Sequence, residues 1–411
     1  MPTATTATFR ARWVFPIESP TIEDGVVRMA HGRIVSVGNY KRGENAIDLG
    51  NVALLPDFVN AHTHLEFSLL EKPLGQPGMP FADWIGEVVA FRRELAAGGA
   101  DLADYARQAT AVGLRESAEA GVVAIGEIAT ALWPAEFIES GNEIQGTVFL
   151  ELLGLAPERI EPLLDTAKLH VSAGNQKSFR RGLSPHAPYT VHPDLLQKVC
   201  QLSAEQQIPL AMHLAESAAE LELLRSHAGP LVERLKELSA WYPGSLPRGL
   251  RPLNYLELLS AAHQTLVIHG NFLVREEMEF IADRRDTMTV VYCPRTQAFF
   301  PHGAYPLAEM LACGVRVAVG TDSRASNPDL SVLSELRHIA QQHPGVPPEE
   351  ILKMGTVYGA EALGLGDQLG SLLPGKKAAI AIVPLPETGD DPFELLFRSD
   401  APAARFTHGD T

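Results

Sequence analysis

The sequence predicts an α/β protein built on a (β/α)8 TIM-type barrel, with a small β-sandwich domain formed from both chain ends. The central part of the chain alternates short apolar segments with longer stretches of helical character. The apolar segments are nearly continuous, which is typical of parallel strands buried on both faces. Eight such segments with helices between them fit a closed barrel. A doubly wound open sheet is the alternative, but no glycine-rich phosphate-binding motif supports it.

The two ends of the chain predict β-structure of another kind. The segments GVVRMAHGRIVSVG and AIDLGNVALLP alternate apolar and polar residues between glycines, and the tail repeats this character in LGSLLPGKKAAIAIVP. We therefore expect residues 1–55 and 366–411 to form one composite β-sandwich. Residues 56–365 are then expected to form the barrel.

The barrel prediction depends on eight candidate strands. They are LLPDFVNAH, GVVAIGEIA, GTVFLELLG, GLSPHAP, IPLAMHLAE, TLVIHGNF, MTVVYCP and VRVAVGTDS. Helical stretches such as DLADYARQATAVGLRESAEA, HPDLLQKVCQLSAEQQ and AAELELLRSHAGPLVERLKEL lie between them. The order of strands and helices is the order that a (β/α)8 barrel requires.

Composition narrows the class of partner. The 411 residues are 45% hydrophobic and 20% charged, as in globular proteins, and the formal net charge is −16. A surface this acidic repels nucleic acids and anionic membranes, which are therefore disfavoured as partners. We expect a small-molecule substrate instead. No apolar run reaches the ~18 residues that span a bilayer, and no signal-peptide pattern is found. The three cysteines do not indicate a disulfide scaffold. We therefore expect a cytoplasmic protein. A homodimer is possible and stays open.

Polar residues collect where the predicted strands end. These are His62 and His64 on the first strand, His186 on the fourth, His213 and then Glu216 on the fifth, His269 on the sixth and Asp322 on the eighth. The carboxyl ends of barrel strands face one mouth, where active sites are found. The sequence therefore predicts that these side chains converge.

The pair His62 and His64 is the sharpest local signal for a metal site. Residues i and i+2 of a strand point to the same side, and two imidazoles suit zinc. His213 adds a third nitrogen and Asp322 an oxygen, which leaves room for a water molecule, as in catalytic zinc sites. We expect one divalent metal ion, zinc first and iron as the alternative.

Four segments resemble the hallmarks of the amidohydrolase superfamily, and more closely its mononuclear deaminase branch. They are LLPDFVNAHTHLEFS, AMHLAES, IHGNF and VAVGTDSRASNPDL, and the resemblance spans about residues 50 to 365. It implies that His62, His64, His213 and Asp322 are the metal ligands. Binuclear members use a carboxylated lysine on strand 4, and the segment RRGLSPHAPYT has no lysine, which favours one metal ion.

The same resemblance implies catalytic roles. Glu216 matches the acid and base that passes a proton to the ring nitrogen and the leaving amine. His269 matches the histidine that steadies the attacking water and the developing oxyanion, and Asp322 matches the base that first takes a proton from that water. A carboxylic acid such as Glu216 is needed because the amine must receive a proton before it can leave as ammonia.

Three further segments narrow the resemblance to the aminodeoxyfutalosine deaminases of menaquinone biosynthesis. They are HTHLEFS, FADWI and CPRTQAFF. The resemblance implies substrate contacts from five residues: His186, Glu66, Trp84, Arg295 and Ser326. That substrate carries a carboxylate, for which arginine is the preferred partner, so Arg92, Arg93 and Arg295 are the candidates.

Several alternatives stay open. One is a deaminase of S-adenosylhomocysteine, methylthioadenosine, guanine or cytosine. Arg93 stands where the thio-nucleoside branch has a ribose-binding glutamate, with Glu94 one residue on, which speaks against that branch. A chlorohydrolase or a cyclic amide hydrolase of the same superfamily is a further alternative. A non-catalytic barrel that binds metal is the remote one, because the expected polar residues are all present.

Overall fold

The computed structural model describes residues 7–99, 101–133, 137, 144–174 and 178–406. The chain divides into two compact units. One comprises Met1–Ala61, Arg115–Ile125 and Ser331–Thr411, and the other comprises His62–Leu114 and Gly126–Leu330. The candidate site residues predicted from the sequence all belong to the second unit.

The larger of the two sheets has eight strands. Its strands are β6 (Phe58–Thr63), β7 (Val122–Ala129), β8 (Gln145–Leu152), β9 (Phe179–Pro185), β10 (Pro209–Leu214), β11 (Gln264–His269), β12 (Met288–Tyr292) and β13 (Val317–Val319). Neighbours in the sheet are also neighbours in the chain, and the registers from β8 to β13 are parallel.

The sheet closes on itself directly after its last strand. Thr63 of β6 forms a parallel bridge with Asp322, and the Asp322 backbone N–H donates to the His62 carbonyl over 3.1 Å. This closure confirms the predicted TIM-type barrel and removes both sheet edges. The same closure brings together His62 and Asp322, which lie near opposite ends of the barrel sequence.

The barrel strands are buried along almost their whole length. Every residue of β6, β7 and β12 is buried, which explains why the sequence shows continuous apolar runs rather than alternation. Glu127 of β7 and Glu151 of β8 are acids within these buried runs.

Fourteen helices lie within the described residues. They are Phe81–Ala97, Leu102–Glu119, Ile160–Ser172, Pro193–Gln206, Ala218–Ser226, Pro230–Glu237, Pro252–Leu259, Arg275–Ala282, Pro294–Phe299, Leu307–Cys313, Val332–Gln342, Pro348–Met354, Val357–Ala362 and Pro392–Arg398, with short 3-10 turns at Leu65–Phe67 and Pro157–Arg159. Among the described residues, no helix combines the length and the apolar character that crossing a membrane requires.

One predicted helical stretch is two helices. The segment 218–238 breaks after Ser226, where His227 has a left-handed φ of 54° and Gly229 a φ of 96°. Pro230 then begins the second helix, because proline lacks the N–H that would continue the first one. The helical character predicted for this segment is thus present as two helices.

Both chain ends contribute to a second, seven-stranded sheet. Its strands are β1 (Ala7–Val14), β2 (Ile22–Ala30), β3 (Arg33–Asn39), β4 (Ile47–Asp48), β5 (Val52–Pro56), β14 (Ile380–Pro384) and β15 (Ala404–Arg405). The C-terminal strand β14 pairs antiparallel with β5, so that Ile382 lies opposite Leu54. Phe9, Val27 and Ile380 are buried in its core. The predicted β domain from both ends is confirmed, as one hydrogen-bonded sheet. The boundaries 1–55 with 366–411 and 56–365 remain our proposal.

Candidate active site

Four predicted metal ligands converge at the carboxyl ends of three barrel strands. The Nε2 atoms of His62 and His64 lie 3.6 Å and 3.8 Å from Asp322 Oδ1. The Nε2 atoms of His64 and His213 lie 3.3 Å apart. Four donors held at about 2.1 Å from one tetrahedral ion would lie about 3.4 Å from one another. These three spacings are close to that value, and the possible ligand atoms form two groups that share His62: one of His62, His64 and His213, and one of His62, His269 and Asp322.

The chemistry of the donors also fits a metal ion. His62 is fully buried, and neither of its ring nitrogens has a hydrogen-bond partner within the described residues. Burial lowers the pKa of His62 to about 3, so its imidazole is neutral and able to coordinate. His213 Nδ1 lies 3.0 Å from the His186 carbonyl, to which it donates, and this leaves Nε2 for the ion.

The backbone at the site is held in unusual conformations. Ala215, His269 and Asp322 have φ values of 53°, 69° and 56°, a left-handed region that costs non-glycine residues energy. The surroundings impose these conformations. The Thr63 hydroxyl donates to the Asp322 carbonyl over 2.9 Å, and the Tyr305 hydroxyl donates to the His269 carbonyl over 2.9 Å. Such strain is characteristic of functional sites.

Glu216 and His269 form a buried acid–imidazole pair beside this cluster. Glu216 Oε1 lies 3.4 Å from His269 Nε2, with side chains 9% and 2% exposed. Burial raises the pKa of Glu216 well above its usual value, and the charges of Asp322 and Glu220 add to the effect. A carboxyl group whose pKa is raised holds its proton more tightly, which suits a proton donor.

The remaining predicted substrate residues lie in different surroundings. His186 Nδ1 is 2.7 Å from the Thr190 hydroxyl. The Trp84 indole donates to the Ala325 carbonyl over 3.1 Å. The Ser326 hydroxyl lies 3.5 Å from Asp322 Oδ2, so that Ser326 contacts the cluster directly.

The candidate arginines are occupied by acids or exposed. Arg295 holds both carboxylate oxygens of Asp329, at 3.0 Å and 2.6 Å, and does not join the metal-ligand cluster. Arg92 forms an ion pair with Glu66, whose other oxygen accepts the Thr130 hydroxyl at 3.1 Å. Arg93 is exposed on the same helix as Arg92.

Sequence reasoning missed two acids of the barrel strands, Glu127 and Glu151. Both oxygens of Glu127 accept the Leu65 N–H, at 3.0 Å and 3.3 Å. Glu151 Oε1 lies 3.9 Å from His186 Nε2, and burial raises the pKa of Glu151 to about 8. The available signal was an acid inside an otherwise apolar run, because acids are rarely buried without a role or a partner.

Comparison with known proteins finds related sequences over most of the chain. The model of the amidohydrolase family matches residues 53–410. The aminodeoxyfutalosine deaminase of Deinococcus radiodurans is 30% identical over 332 residues, or 78% of this chain and 75% of that protein. The 5-methylthioadenosine/S-adenosylhomocysteine deaminase of Moorella thermoacetica is 29% identical over 388 residues, or 90% and 83%.

Solved structures are similar over almost the whole chain. The Helicobacter pylori aminofutalosine deaminase in complex with methylthio-coformycin superposes with a TM-score of 0.80 at 26% identity, covering 95% of each chain. A zinc-bound adenosine deaminase from Xanthomonas campestris has a TM-score of 0.73 at 23% identity, covering 96% of this chain and 89% of its own. The second likeness supports the fold alone.

Proposed function

The chain belongs to the amidohydrolase family, and from that premise we propose that it is a metal-dependent hydrolytic deaminase of a purine nucleoside. As a member of this family it is a hydrolase of carbon–nitrogen bonds. The observation that carries the proposal is the position of Glu216, a buried acid 3.4 Å from His269 and beside the histidine–aspartate cluster. Release of ammonia requires such a proton donor next to the attacking water.

Four side chains would hold the divalent ion: His62, His64, His213 and Asp322. When bound, such an ion supplies Lewis acidity and lowers the pKa of a water molecule from about 16 to roughly 7. Zinc is our first choice, because three imidazoles and one carboxylate suit its borderline-soft character, and iron is the alternative.

The residues of the chain divide the proton transfers between them. Asp322 accepts a proton from the attacking water as the new C–O bond forms at the amidine carbon of the purine. Glu216 delivers its proton to the adjacent ring nitrogen, then takes the proton of the newly added hydroxyl group and passes it to the amine, so that the C–N bond breaks, ammonia leaves and the C–O group becomes a carbonyl. The proton held by Asp322 then returns to Glu216, which restores both carboxyl groups. His269, a neutral and buried imidazole, orients the water and stabilises the developing negative charge.

The environment of Glu216 supports this division of roles. Asp322 and Glu216 are two nearby acids, and burial and mutual repulsion raise the pKa of Glu216. A carboxyl group whose pKa is raised in this way is suited to act as the acid of the reaction. The burial of His62, His269 and Glu216 also excludes bulk water from the reacting atoms.

For the substrate itself we propose 6-aminodeoxyfutalosine, an intermediate of menaquinone biosynthesis. The segments HTHLEFS, FADWI and CPRTQAFF and the similarity to the Deinococcus deaminase support it. Arg92 is our candidate for the substrate carboxylate, because its side chain is 44% exposed and pairs with one oxygen of Glu66, whereas Arg295 is 16% exposed and holds both carboxylate oxygens of Asp329. The similarity to the Moorella deaminase supports the rival substrates methylthioadenosine and S-adenosylhomocysteine.

The test is an ammonia-release assay of purified, zinc-loaded protein. The substrates are aminodeoxyfutalosine, adenosine, methylthioadenosine, S-adenosylhomocysteine, guanine and cytosine. We expect the highest kcat/KM with aminodeoxyfutalosine, and a loss of about 10²- to 10⁴-fold in kcat in the variant Glu216→Gln with zinc still bound.

The outcomes distinguish a wrong substrate from a wrong reaction. If adenosine or a thio-nucleoside released ammonia and aminodeoxyfutalosine did not, the protein would be a nucleoside deaminase with a substrate other than the proposed one. Release from none of the six compounds, or full activity in Glu216→Gln, would refute the proposed reaction.

A further inference from the structure

Glu127 is a buried acid of β7 that the proposed reaction does not use. It is 1% exposed, and it stands near the carboxyl end of a strand whose residues are all buried. A buried carboxyl group costs free energy unless it has hydrogen-bond partners, so its partner indicates its role. Among the described residues, that partner is the backbone N–H of Leu65, which donates to Oε2 over 3.0 Å and to Oε1 over 3.3 Å.

Leu65 lies directly after the proposed metal ligand His64 and begins the 3-10 turn Leu65–Phe67. The first N–H groups of a helical turn have no partner inside the turn, and the side chain of the preceding residue often supplies one. His64 occupies that position and makes no such hydrogen bond. Its Nε2 lies 3.3 Å from His213 Nε2 instead. Glu127 therefore supplies from β7 the acceptor that His64 does not.

A second contact ties the same turn to the end of β7. The hydroxyl of Thr130, the residue directly after this strand, donates to Glu66 Oε2 over 3.1 Å. The strand thus holds the backbone of the turn through Glu127 and a side chain of the turn through Thr130. The backbone that carries His64 is in this way fixed relative to β7 as well as to its own strand.

Glu127 is not itself placed to bind the ion. Within the described residues, no group of three or more possible ligand atoms within 4.8 Å of one another includes it. Burial raises the pKa of Glu127 well above its usual value, although the Leu65 N–H lowers it in part, and the charges of Glu66 and Glu151 add to the rise. The role of hydrogen-bond acceptor does not require a charge, so a neutral amide oxygen can replace the carboxyl oxygen.

We propose that Glu127 is a positioning residue of the metal site, which holds the Leu65 N–H and thereby sets the place of the His64 imidazole. The inference rests on the proposed function, in which His64 is a ligand of the ion. Groups that orient a ligand in this way typically change metal affinity or activity about 10- to 100-fold when they are removed. Glu127 contributes an acceptor oxygen to the site, and its charge is not required.

The test measures metal binding, so that turnover is not needed. Competition with a chelator gives the Kd for zinc, and the visible absorption of the cobalt-substituted protein reports the geometry of the ligands. In Glu127→Ala the turn is released, so we expect zinc to bind about 10- to 100-fold more weakly and the cobalt spectrum to change. In Glu127→Gln the amide oxygen still accepts the Leu65 N–H, so the spectrum and most of the zinc affinity are retained.

Glu277→Ala is the matched control for a general loss of stability. Glu277 is 2% exposed and also accepts backbone N–H groups, from Val274 over 2.9 Å and from Leu253 over 3.2 Å. It lies in the first turn of the helix Arg275–Ala282, which carries none of the proposed ligands. Its removal should lower the free energy of unfolding, as Glu127→Ala does, and leave the zinc Kd and the cobalt spectrum at their wild-type values.

Several results would overturn the inference. Wild-type zinc affinity and cobalt spectrum in Glu127→Ala would show that His64 does not depend on this contact. A loss in Glu127→Gln as large as that in Glu127→Ala would assign the effect to charge. Equal changes in Glu277→Ala would make the effect one of stability alone.

Two further outcomes are distinguished by the same measurements. If Glu127→Ala does not fold, Glu127→Asp takes its place, because its carboxyl group is one methylene short of the Leu65 N–H, and unchanged zinc affinity there would equally refute the role. A wild-type protein that binds neither zinc nor cobalt would overturn the metal site of the proposed function together with this inference.

Discussion

The carboxylate of Glu220 accepts the backbone N–H of Glu216 over 2.8 Å and that of Ala215 over 2.9 Å. Glu220 is completely buried, and it lies in the first turn of the helix Ala218–Ser226. On the other side, the Asn271 amide donates to the Glu216 carbonyl over 2.8 Å. The backbone of the proposed proton donor is thus fixed from two directions.

This relationship makes Glu220 a positioning residue. We predict that Glu220→Gln lowers kcat about 10- to 100-fold with little change in KM, because a small displacement of Glu216 weakens proton transfer. The side-chain amide would present an N–H to a backbone N–H that needs an acceptor. The measurement is steady-state kinetics at constant zinc content.

The control for this prediction is Glu233→Gln, an acid with a 67% exposed side chain, which should leave both constants unchanged. If Glu220→Gln raised KM and left kcat as it was, Glu220 would act on substrate binding instead.

Tyr305 should stabilise the strained conformation of His269. Its hydroxyl donates to the His269 carbonyl, and its ring stacks on Tyr292 with centroids 3.6 Å apart. Tyr305→Phe keeps the stacking and loses the hydrogen bond. We predict a decrease of about 1 kcal/mol in the free energy of unfolding and a lower kcat.

Urea denaturation tests the stability part, with Tyr242→Phe, at a residue that is 40% exposed, as the neutral control. An unchanged midpoint in Tyr305→Phe would mean that this hydrogen bond contributes nothing to the fold.

Gly320 leaves the space that His62 needs. A Cβ at position 320 would lie 2.7 Å from the His62 Cβ and 2.8 Å from the His62 carbonyl oxygen. We predict that Gly320→Ala destabilises the fold by about 1–3 kcal/mol through overpacking and weakens metal binding by about tenfold or more. Thermal unfolding and zinc titration measure the two effects.

Gly244→Ala is the matched control, because its added Cβ meets no atom within 4 Å. Equal zinc affinity in both variants would show that His62 tolerates the displacement.

His170 should make stability depend on pH. It is buried, its Nε2 donates to the Val148 carbonyl over 3.2 Å, and burial, with a smaller effect of Arg181, lowers its pKa to about 4. In the unfolded chain, His170 has a pKa of about 6.5 and binds a proton below that pH, whereas in the folded protein it stays neutral down to about pH 4. The free energy of unfolding therefore decreases as the pH drops from 6.5 to 4. The loss from this group reaches up to about 3 kcal/mol at and below pH 4.

Urea denaturation between pH 4 and pH 8 compares the wild type with His170→Gln. The variant should lose less stability over the acid half of this range, and the two curves should run parallel above pH 7. Parallel curves over the whole range would assign the acid sensitivity to other groups.

The sequence was sufficient to predict the barrel because each strand is an uninterrupted apolar run and the polar residues follow at its carboxyl end. The convergence of His62, His213 and Asp322 follows from that topology alone. Side-chain partners could not be predicted in the same way. Nothing in the segment CPRTQAFF reveals that Arg295 is held by Asp329, since the helix Pro294–Phe299 after β12 and the segment after β13 are brought together only by folding.

The two acids within the strands were missed for the same reason. Glu127 and Glu151 occupy runs that read as plain buried strand, and their partners, Leu65 and His186, belong to other strands or to the loops that follow them. The glycine–proline pair at Gly229 and Pro230 is a sequence signal for the break between the helices Ala218–Ser226 and Pro230–Glu237.

The most direct test of the account is the position and number of metal ions. Anomalous diffraction at the zinc absorption edge, with elemental analysis of the same sample, should show one ion per chain bounded by His62 Nε2, His64 Nε2, His213 Nε2 and Asp322 Oδ1. A zinc-loaded, active protein whose ion lies elsewhere, or which holds no ion among these four atoms, would contradict it.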